Sequence, residues 1–387
     1  MKILISLARF MLGGTETYSV TVGEQLERLG HSVTLHASEA GPVGQELAAA
    51  HGLPLAVGDS ELPEDVDAVL VQDAANSYLL AGRRPGLRQV FAIHGLSGYE
   101  HPPAGLEHPP PVVVFNDRVG GHAAALASRP RVVRLRQPID IERFRPRSAR
   151  TGRARTVLTL SNYLRGPRLE ALEDACRDLE LELVRLGAFG SPTIDPREAM
   201  ANADIIVGYG RSVLEGMAMG CAGYVWDYAG GDGWVTPENY PALEADGFAG
   251  AATETVIDAD RLRADLAEYR PELGTLGCDL VRINHSATRH SDQLVGLLSE
   301  ADPPAGEETS EALARLVRLE ARAAIRLDSM ETENQLMRED LANVAGERDG
   351  LRLERDGLRA QLDSVTRSLS WRLTTPLRRA ASLFRRR

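Results

Sequence analysis

The sequence predicts an α/β chain of two doubly wound parallel-sheet (Rossmann-like) lobes facing a cleft, followed by a long helix. Three observations carry that reading. Short, continuously apolar runs alternate with amphipathic stretches through the first 300 residues. This is the pattern of parallel strands covered by helices on both faces. The alternation pauses once, at a polar, arginine-rich connector near residue 150. Beyond Glu307 it stops, and a charged, leucine-spaced text begins.

In the first lobe, residues 1–146, an apolar strand at 2–8 leads into FMLGGTETY and a helix to about Leu29, which Gly30 ends. The MKILISLARF opening lacks the layout of a secretory signal and reads as that first strand. Further strands are expected at 31–36, 66–72, 89–93, 112–115 and 132–135, with helices at 43–50 and 118–127. The connector QPIDIERFRPRS closes on Pro146 and is followed by SARTGRAR. The second lobe, 153–300, opens with TVLTL at Thr156. In it, GPRLEALEDACRDLELELVRLGA reads as a helix, with Leu169, Leu172 and Cys176 on one face, and then a strand.

The richest segment is ADIIVGYGRSVLEGMAMGCAGYVWDYAGGDGWVTPEN, residues 203–239. It reads as a buried strand at 204–209, a glycine-hinged turn, and a helix opening near Val213 with Glu215 in its first turn. A second strand at 223–228 and a glycine loop holding Gly230, Gly231 and Gly233 follow. In open parallel sheets, ligands bind beyond the carboxyl ends of the strands, where helix N-termini offer free N–H groups to anions. A carboxylate beside glycine-lined backbone donors suits a nucleotide, accepting from ribose hydroxyls while the glycines admit the diphosphate.

VGYGRSVLEGMAMGCAGYV resembles the donor-binding region of retaining GT-B glycosyltransferases, the group 1, family-4-like kind. There an EGFG-like turn precedes an lEAmA.G.Pvi run and a glycine loop. The likeness spans about three hundred residues, more weakly in the first half. The resemblance implies that Glu215 grips the donor ribose and that the donor is a nucleotide-sugar. Where the family has another glutamate eight residues earlier, this chain has Val207. The resemblance also matches Gly13, Gly14 and Glu16 to a GG.E loop that approaches the diphosphate and acceptor, and His94 in VFAIHGLSG to a cleft histidine. The resemblance also implies cations in the loop after the second lobe's first strand, where SNYLRGPR offers Arg165 and Arg168 and no lysine; Arg165, directly before Gly166, is the expected partner of the leaving diphosphate, which a bidentate guanidinium suits. Arg211 is a candidate to replace part of the missing glutamate's polar contacts with the donor, and Asp227 or Asp232 is expected to touch donor or acceptor. Asp73 and Asn116 are weaker strand-end candidates. The pairs Asp65/Asp67 and Asp258/Asp260 sit at no recognisable cleft strand end, so no obligatory metal and no cofactor are expected.

Charge is distributed unevenly. The chain carries −11 overall, yet Thr366 onward holds seven arginines and no acid. An acidic body argues against nucleic acid as a partner; a basic tail suits an anionic surface. Three cysteines, Cys176, Cys221 and Cys278, share no metal-ligand spacing and suggest a reduced, cytoplasmic setting. No run reaches the ~18 apolar residues of a membrane span.

Residues 307–369 read as a coiled coil. ERDGLR recurs after seven residues, at Glu347 and Glu354, and Met337, Leu341, Val344, Leu351, Leu358, Leu362, Val365 and Leu369 fall on steps of three and four. Arg348 and Arg355 interrupt that stripe, and the register slips near 323–327. Self-association is expected here. The tail 370–387 reads as a basic amphipathic helix with Pro376 at its first position and Trp371 and Phe384 at headgroup level. SLSWRLTTPLR is similar to C-termini of bacterial glycosyltransferases that build surface polysaccharide. The implied activity is sugar transfer to a lipid-linked or polysaccharide acceptor at the inner face of the cytoplasmic membrane, with retained anomeric configuration. Two rivals stay open: a nucleotide-sugar epimerase of the same fold, and a catalytically degenerate scaffold lacking the first glutamate.

Overall fold

The computed structural model describes residues 1–96, 101–103, 106, 108–126, 128–148, 150–187, 190–228, 230–253, 255–304 and 311–367. The chain forms two compact units, Met1–Arg322 and Ala323–Arg387. The first unit holds two sheets.

The first sheet is wholly parallel, ordered β3-β2-β1-β4-β5-β6-β7. Its strands are β1 (Lys2–Phe10), β2 (Ser32–Ala40), β3 (Leu55–Val57), β4 (Ala68–Val71), β5 (Arg88–Ile93), β6 (Val112–Val114) and β7 (Val132–Arg134). β4, AVLV, is buried at every position. A strand covered on both faces needs that composition, because neither side meets water. β3 and the helix α3 (Ala74–Arg83) were not expected from the sequence. β3 is three half-buried residues, too short to show a period. α3 begins at the expected strand-end residue Asp73, whose carboxylate accepts the Asn76 N–H at 2.8 Å as an N-cap. Asn116 does the same for α4 (Asp117–Ala124), accepting from Val119 N at 2.8 Å. Both side chains are thereby committed to helix starts.

The second sheet is ordered β12-β11-β10-β8-β9. β8 (Thr156–Leu160), β9 (Glu182–Leu186), β10 (Ile205–Gly208) and β11 (Ala222–Asp227) are parallel, as expected. The expected glycine loop is instead β12 (Gly230–Trp234), an antiparallel edge strand. Asp227 pairs with Gly230 and Trp226 with Gly231 around a bulge. Glycine weakens strands in general, but the bulge lets this run turn back directly onto β11.

The helix α7 (Arg211–Ala218) starts two residues earlier than expected. Glu215 therefore sits in its second turn, and the first turn carries no acid. Gly216 lets α7 lie directly on β10: a Cβ there would meet Ile206 at 2.6 Å.

The lobe boundary near 300 also differs from expectation. Helix α11 (Ala287–Glu300) buries Leu294, Leu297 and Leu298 in the core of the first sheet, together with Tyr18 and Leu26 of α1 (Gly14–Arg28). The chain thus returns to the first lobe before the long helix begins. The connector is anchored by Asp140, whose carboxylate accepts from Gln25 Nε2 (3.1 Å), Arg28 Nη1 (2.9 Å) and the backbone of Glu142 and Arg143 (3.0 Å each).

The long helix α12 (Glu311–Arg367) starts within the first unit. Ala314 is buried with Tyr78 and Leu79, and Arg318 donates to Asp59 Oδ2 at 2.8 Å and Asn76 Oδ1 at 3.0 Å. The expected coil start at 307 is therefore too early, since these residues belong to the body. No helix among the described residues is long and apolar enough to cross a membrane. The tail 370–387 lies outside the described residues.

Candidate functional site

The carboxyl ends of both sheets open onto one cleft of about 760 Å³. Gly13, Gly14, His94 and Asn116 line it from the first lobe; Ser161, Tyr209, Arg211, Glu215 and Tyr228 line it from the second. The lobes touch closely at Gly247, whose φ of +82° and proximity to Asn116 exclude a side chain: a Cβ would meet Asn116 Nδ2 at 2.3 Å.

At the centre lies an ion pair. Arg211 Nε donates to Glu215 Oε1 at 2.6 Å, with side chains 9% and 4% exposed. The same guanidinium donates to the Pro138 carbonyl (2.8 Å) and to Thr21 Oγ1 on α1 (2.7 Å). One side chain thus joins the first lobe, the connector and the second lobe. Burial raises the Glu215 carboxyl above its ordinary range, and the Arg211 charge opposes that rise. Sequence reasoning placed both residues at the site but missed that they pair with each other.

Val207 lies in β10 and packs with Tyr224 and Trp226 in the apolar core. The position of the absent glutamate is therefore inside the lobe, where a carboxylate would have no water.

His94 ends β5. Its Nε2 lies 2.7 Å from Gln72 Oε1, and Gln72 in turn donates to Ser19 Oγ at 2.9 Å. The ring meets Tyr18 edge-on at 4.8 Å and Phe115 at 4.9 Å. Burial, helped by the Arg211 charge, pushes its pKa down to about 3, so the ring is neutral at ordinary pH.

Other expected site residues stand apart from the cleft wall. Glu16 is buried and turns back to accept the Met11 N–H at 3.0 Å; burial raises its carboxyl. Arg165 is the N-cap residue of α5 (Gly166–Asp178) and does not line the cleft. Asp227 is buried and accepts the Tyr228 N–H at 2.7 Å; burial raises its carboxyl, against the opposing effect of Ser161. Asp232 accepts from Thr253 N (2.8 Å) and Thr253 Oγ1 (2.9 Å), which ties the loop after β12. Gly230 and Gly231, held in β12, are likewise away from the cleft wall. Asp258 caps the helix α9 (Ala259–Ala267), and Lys2 pairs with Asp65 and donates its backbone N–H to Asp67. Among the described residues no three His, Cys, Asp or Glu side chains converge as a metal site.

A tyrosine cluster was not expected. Tyr163, Tyr209 and Tyr228 follow the ends of β8, β10 and β11, and all three line the cleft. Tyr163 and Tyr228 lie 4.8 Å apart at 37°, each about half exposed, and Tyr209 meets Tyr228 at 5.6 Å. The signal was present in SNYL, GYG and WDYAG: one tyrosine just beyond each of three neighbouring strands. It becomes visible only when strand order is known.

No family model and no curated protein matches the chain. Among solved structures, it is similar to HepE from Anabaena in complex with UDP-glucose, with a TM-score of 0.54 and 11% identity over 77% of this chain and 100% of that one. A glycosyltransferase from Rickettsia africae is similar with a TM-score of 0.51 and 13% identity, over 77% of this chain and 98% of that one. The chain has the GT-B fold. In this GT-B chain, the Arg211–Glu215 pair and the tyrosine cluster share the wall formed by the second lobe.

Proposed function

We propose that this chain is a glycosyltransferase that moves a sugar from a nucleotide-sugar donor. The observation that carries the reading is the composition of the second-lobe wall. It sets an aromatic platform, the N-terminus of α7 and a buried carboxylate side by side. A nucleobase stacks on Tyr163 and Tyr228, the diphosphate meets the free N–H groups opening α7, and Glu215 accepts from the ribose. Neutral His94, on the cleft wall, is the proposed hydrogen-bond partner of the transferring sugar.

The finer reading comes from sequence likeness. Retention of configuration and a lipid-linked or polysaccharide acceptor rest on the motifs at 207–225 and 368–378, and a cytoplasmic position against the inner face of the cytoplasmic membrane rests on the cysteine pattern and the basic tail. The core position of Val207 favours one rival, a donor-binding scaffold without turnover.

The test is a panel of nucleotide-sugars with purified chain, following nucleoside diphosphate release. Turnover of at least one donor is expected. Isomerised donor without diphosphate release would mean an epimerase, and binding without turnover across donors and acceptors would mean the scaffold. Tyr228→Ala is expected to weaken donor binding about ten- to a hundredfold, because stacking contributes roughly 1–3 kcal/mol per base. Unchanged donor affinity would remove the base from this platform. For the tail, anionic liposomes are expected to float the full chain but not a chain ending at Val365. Equal flotation would overturn the membrane assignment.

A further inference from the structure

Among the described residues from Ala323 onward, the apolar positions of the long helix stand exposed. Leu341 is 69% exposed, Leu351 66% and Leu358 59%. A stripe at steps of three and four needs a facing helix. In this register Leu327, Asn334, Leu341, Arg348, Arg355 and Leu362 hold the a positions. Met330, Met337, Val344, Leu351 and Leu358 hold d.

We infer that the stripe is covered by a second copy of this chain, as a parallel, in-register, two-stranded coiled coil. The charges flanking the stripe decide the direction. In a parallel pair, each g residue faces the e residue five positions later on the other helix. Glu354 then faces Arg359 of the second copy, and the sequence repeats the arrangement at 347/352 and 333/338, with signs exchanged at 326/331. The two remaining pairs along the register, 340/345 and 361/366, each contain a neutral residue, so no pair joins like charges. An antiparallel pair would instead set g against g and e against e, placing Glu347 and Glu354 among acids and Arg352 and Arg359 among arginines. Each exposed ion pair contributes little alone, yet the difference between four complementary pairs with no like-charge pair and flanks that set acid against acid and arginine against arginine selects one direction.

The a positions agree. Asn334 at an a layer favours two strands in register, because its amide pairs with its own copy across the axis. Arg348 and Arg355 need room at the axis for two guanidiniums, which two strands leave and three do not. In the parallel arrangement, Arg355 also lies next to Glu354 of the second copy. The consequence is that both C-terminal tails, with six arginines each, emerge at the same end of the coil. Membrane attachment through them would then be bivalent.

The test uses the full chain, whose three native cysteines are all buried. Sedimentation or light scattering is expected to give twice the chain mass of 42.0 kDa. Val344→Cys and Leu358→Cys, made separately and mildly oxidised, are each expected to form a covalent dimer, since in register a d residue faces itself. An antiparallel coil can bring at most one of those positions against itself. A monomer, a trimer, or crosslinking of only one variant would overturn the inference. Glu347→Arg with Glu354→Arg is expected to weaken dimerisation at least tenfold at low salt; an unchanged dissociation constant would also overturn it.

Discussion

Replacing Glu215 with glutamine is expected to lower donor turnover about a hundredfold while leaving the chain folded. A carboxylate accepting two ribose hydroxyls contributes about 3 kcal/mol, and each 1.36 kcal/mol is tenfold in rate. Glutamine keeps an acceptor for Arg211 Nε but not the charge. Alanine is expected to do more. It removes the acceptor of Arg211 Nε as well as the charge, which costs roughly 3–5 kcal/mol of stability for a buried pair. That guanidinium also reaches Thr21 and Pro138, so the loss would loosen both lobes and connector together. Comparing kcat/KM with the denaturation midpoint separates the two effects. A Glu215→Gln chain that turns over donor normally would show that the carboxylate serves the fold alone.

Acid is expected to destabilise this chain through its buried histidines. Burial pushes His36, His285 and His290 down to about 4 and His94 to about 3. Each ring is held neutral among uncharged hydrogen-bond partners: His36 against Ser6, His285 between Tyr240 and the Gln137 carbonyl, His290 between Tyr18 and the Arg136 carbonyl, and His94 against Gln72. The sign follows from linkage. As pH falls through 6.5 the unfolded chain takes up these protons and the folded chain does not, so stability falls until the folded values are reached. Each histidine costs about 1.4 kcal/mol per pH unit within that window. The buried carboxyls work the other way. Asp73, raised by burial to about 6, and Glu215 bind protons first in the folded state and gain stability as pH falls. The histidine share is isolated by His36→Asn, whose site is remote from the cleft wall. Its stability should depend on pH less steeply than the parent's between 6.5 and 4, by about 1.4 kcal/mol per unit. Parallel curves would refute the assignment. For the same reason, turnover should show no protonation step near 6.5 arising from His94.

Strand composition and glycine spacing were enough for the architecture. Runs such as AVLV and TVLTL are apolar at successive positions, a local property that survives without any knowledge of neighbours. Glu215 and His94 were legible because they follow strands, and strand ends converge in a parallel sheet. Residues whose roles depend on a neighbour distant in sequence were harder. Gly230 and Gly231 look like a phosphate loop, yet a bulge at Val225–Trp226 folds them onto β11 as an edge strand. Asp73 looks like a cleft polar group, but one of its carboxylate oxygens accepts the Asn76 N–H, and Asn116, which does line the cleft, accepts the Val119 N–H.

By itself, the sequence determined the two sheets, the connector, the heptad stripe and the charge of its flanks, since each is written in nearest-neighbour spacing. Tertiary structure alone decided that α11 returns to the first lobe and that Val207 faces the core. It also decided that Arg211 is bound to Glu215 and that three tyrosines scattered over 66 residues of sequence meet at one wall. Those outcomes depend on which strands lie side by side, and strand order follows from how the whole core packs rather than from any local run of residues.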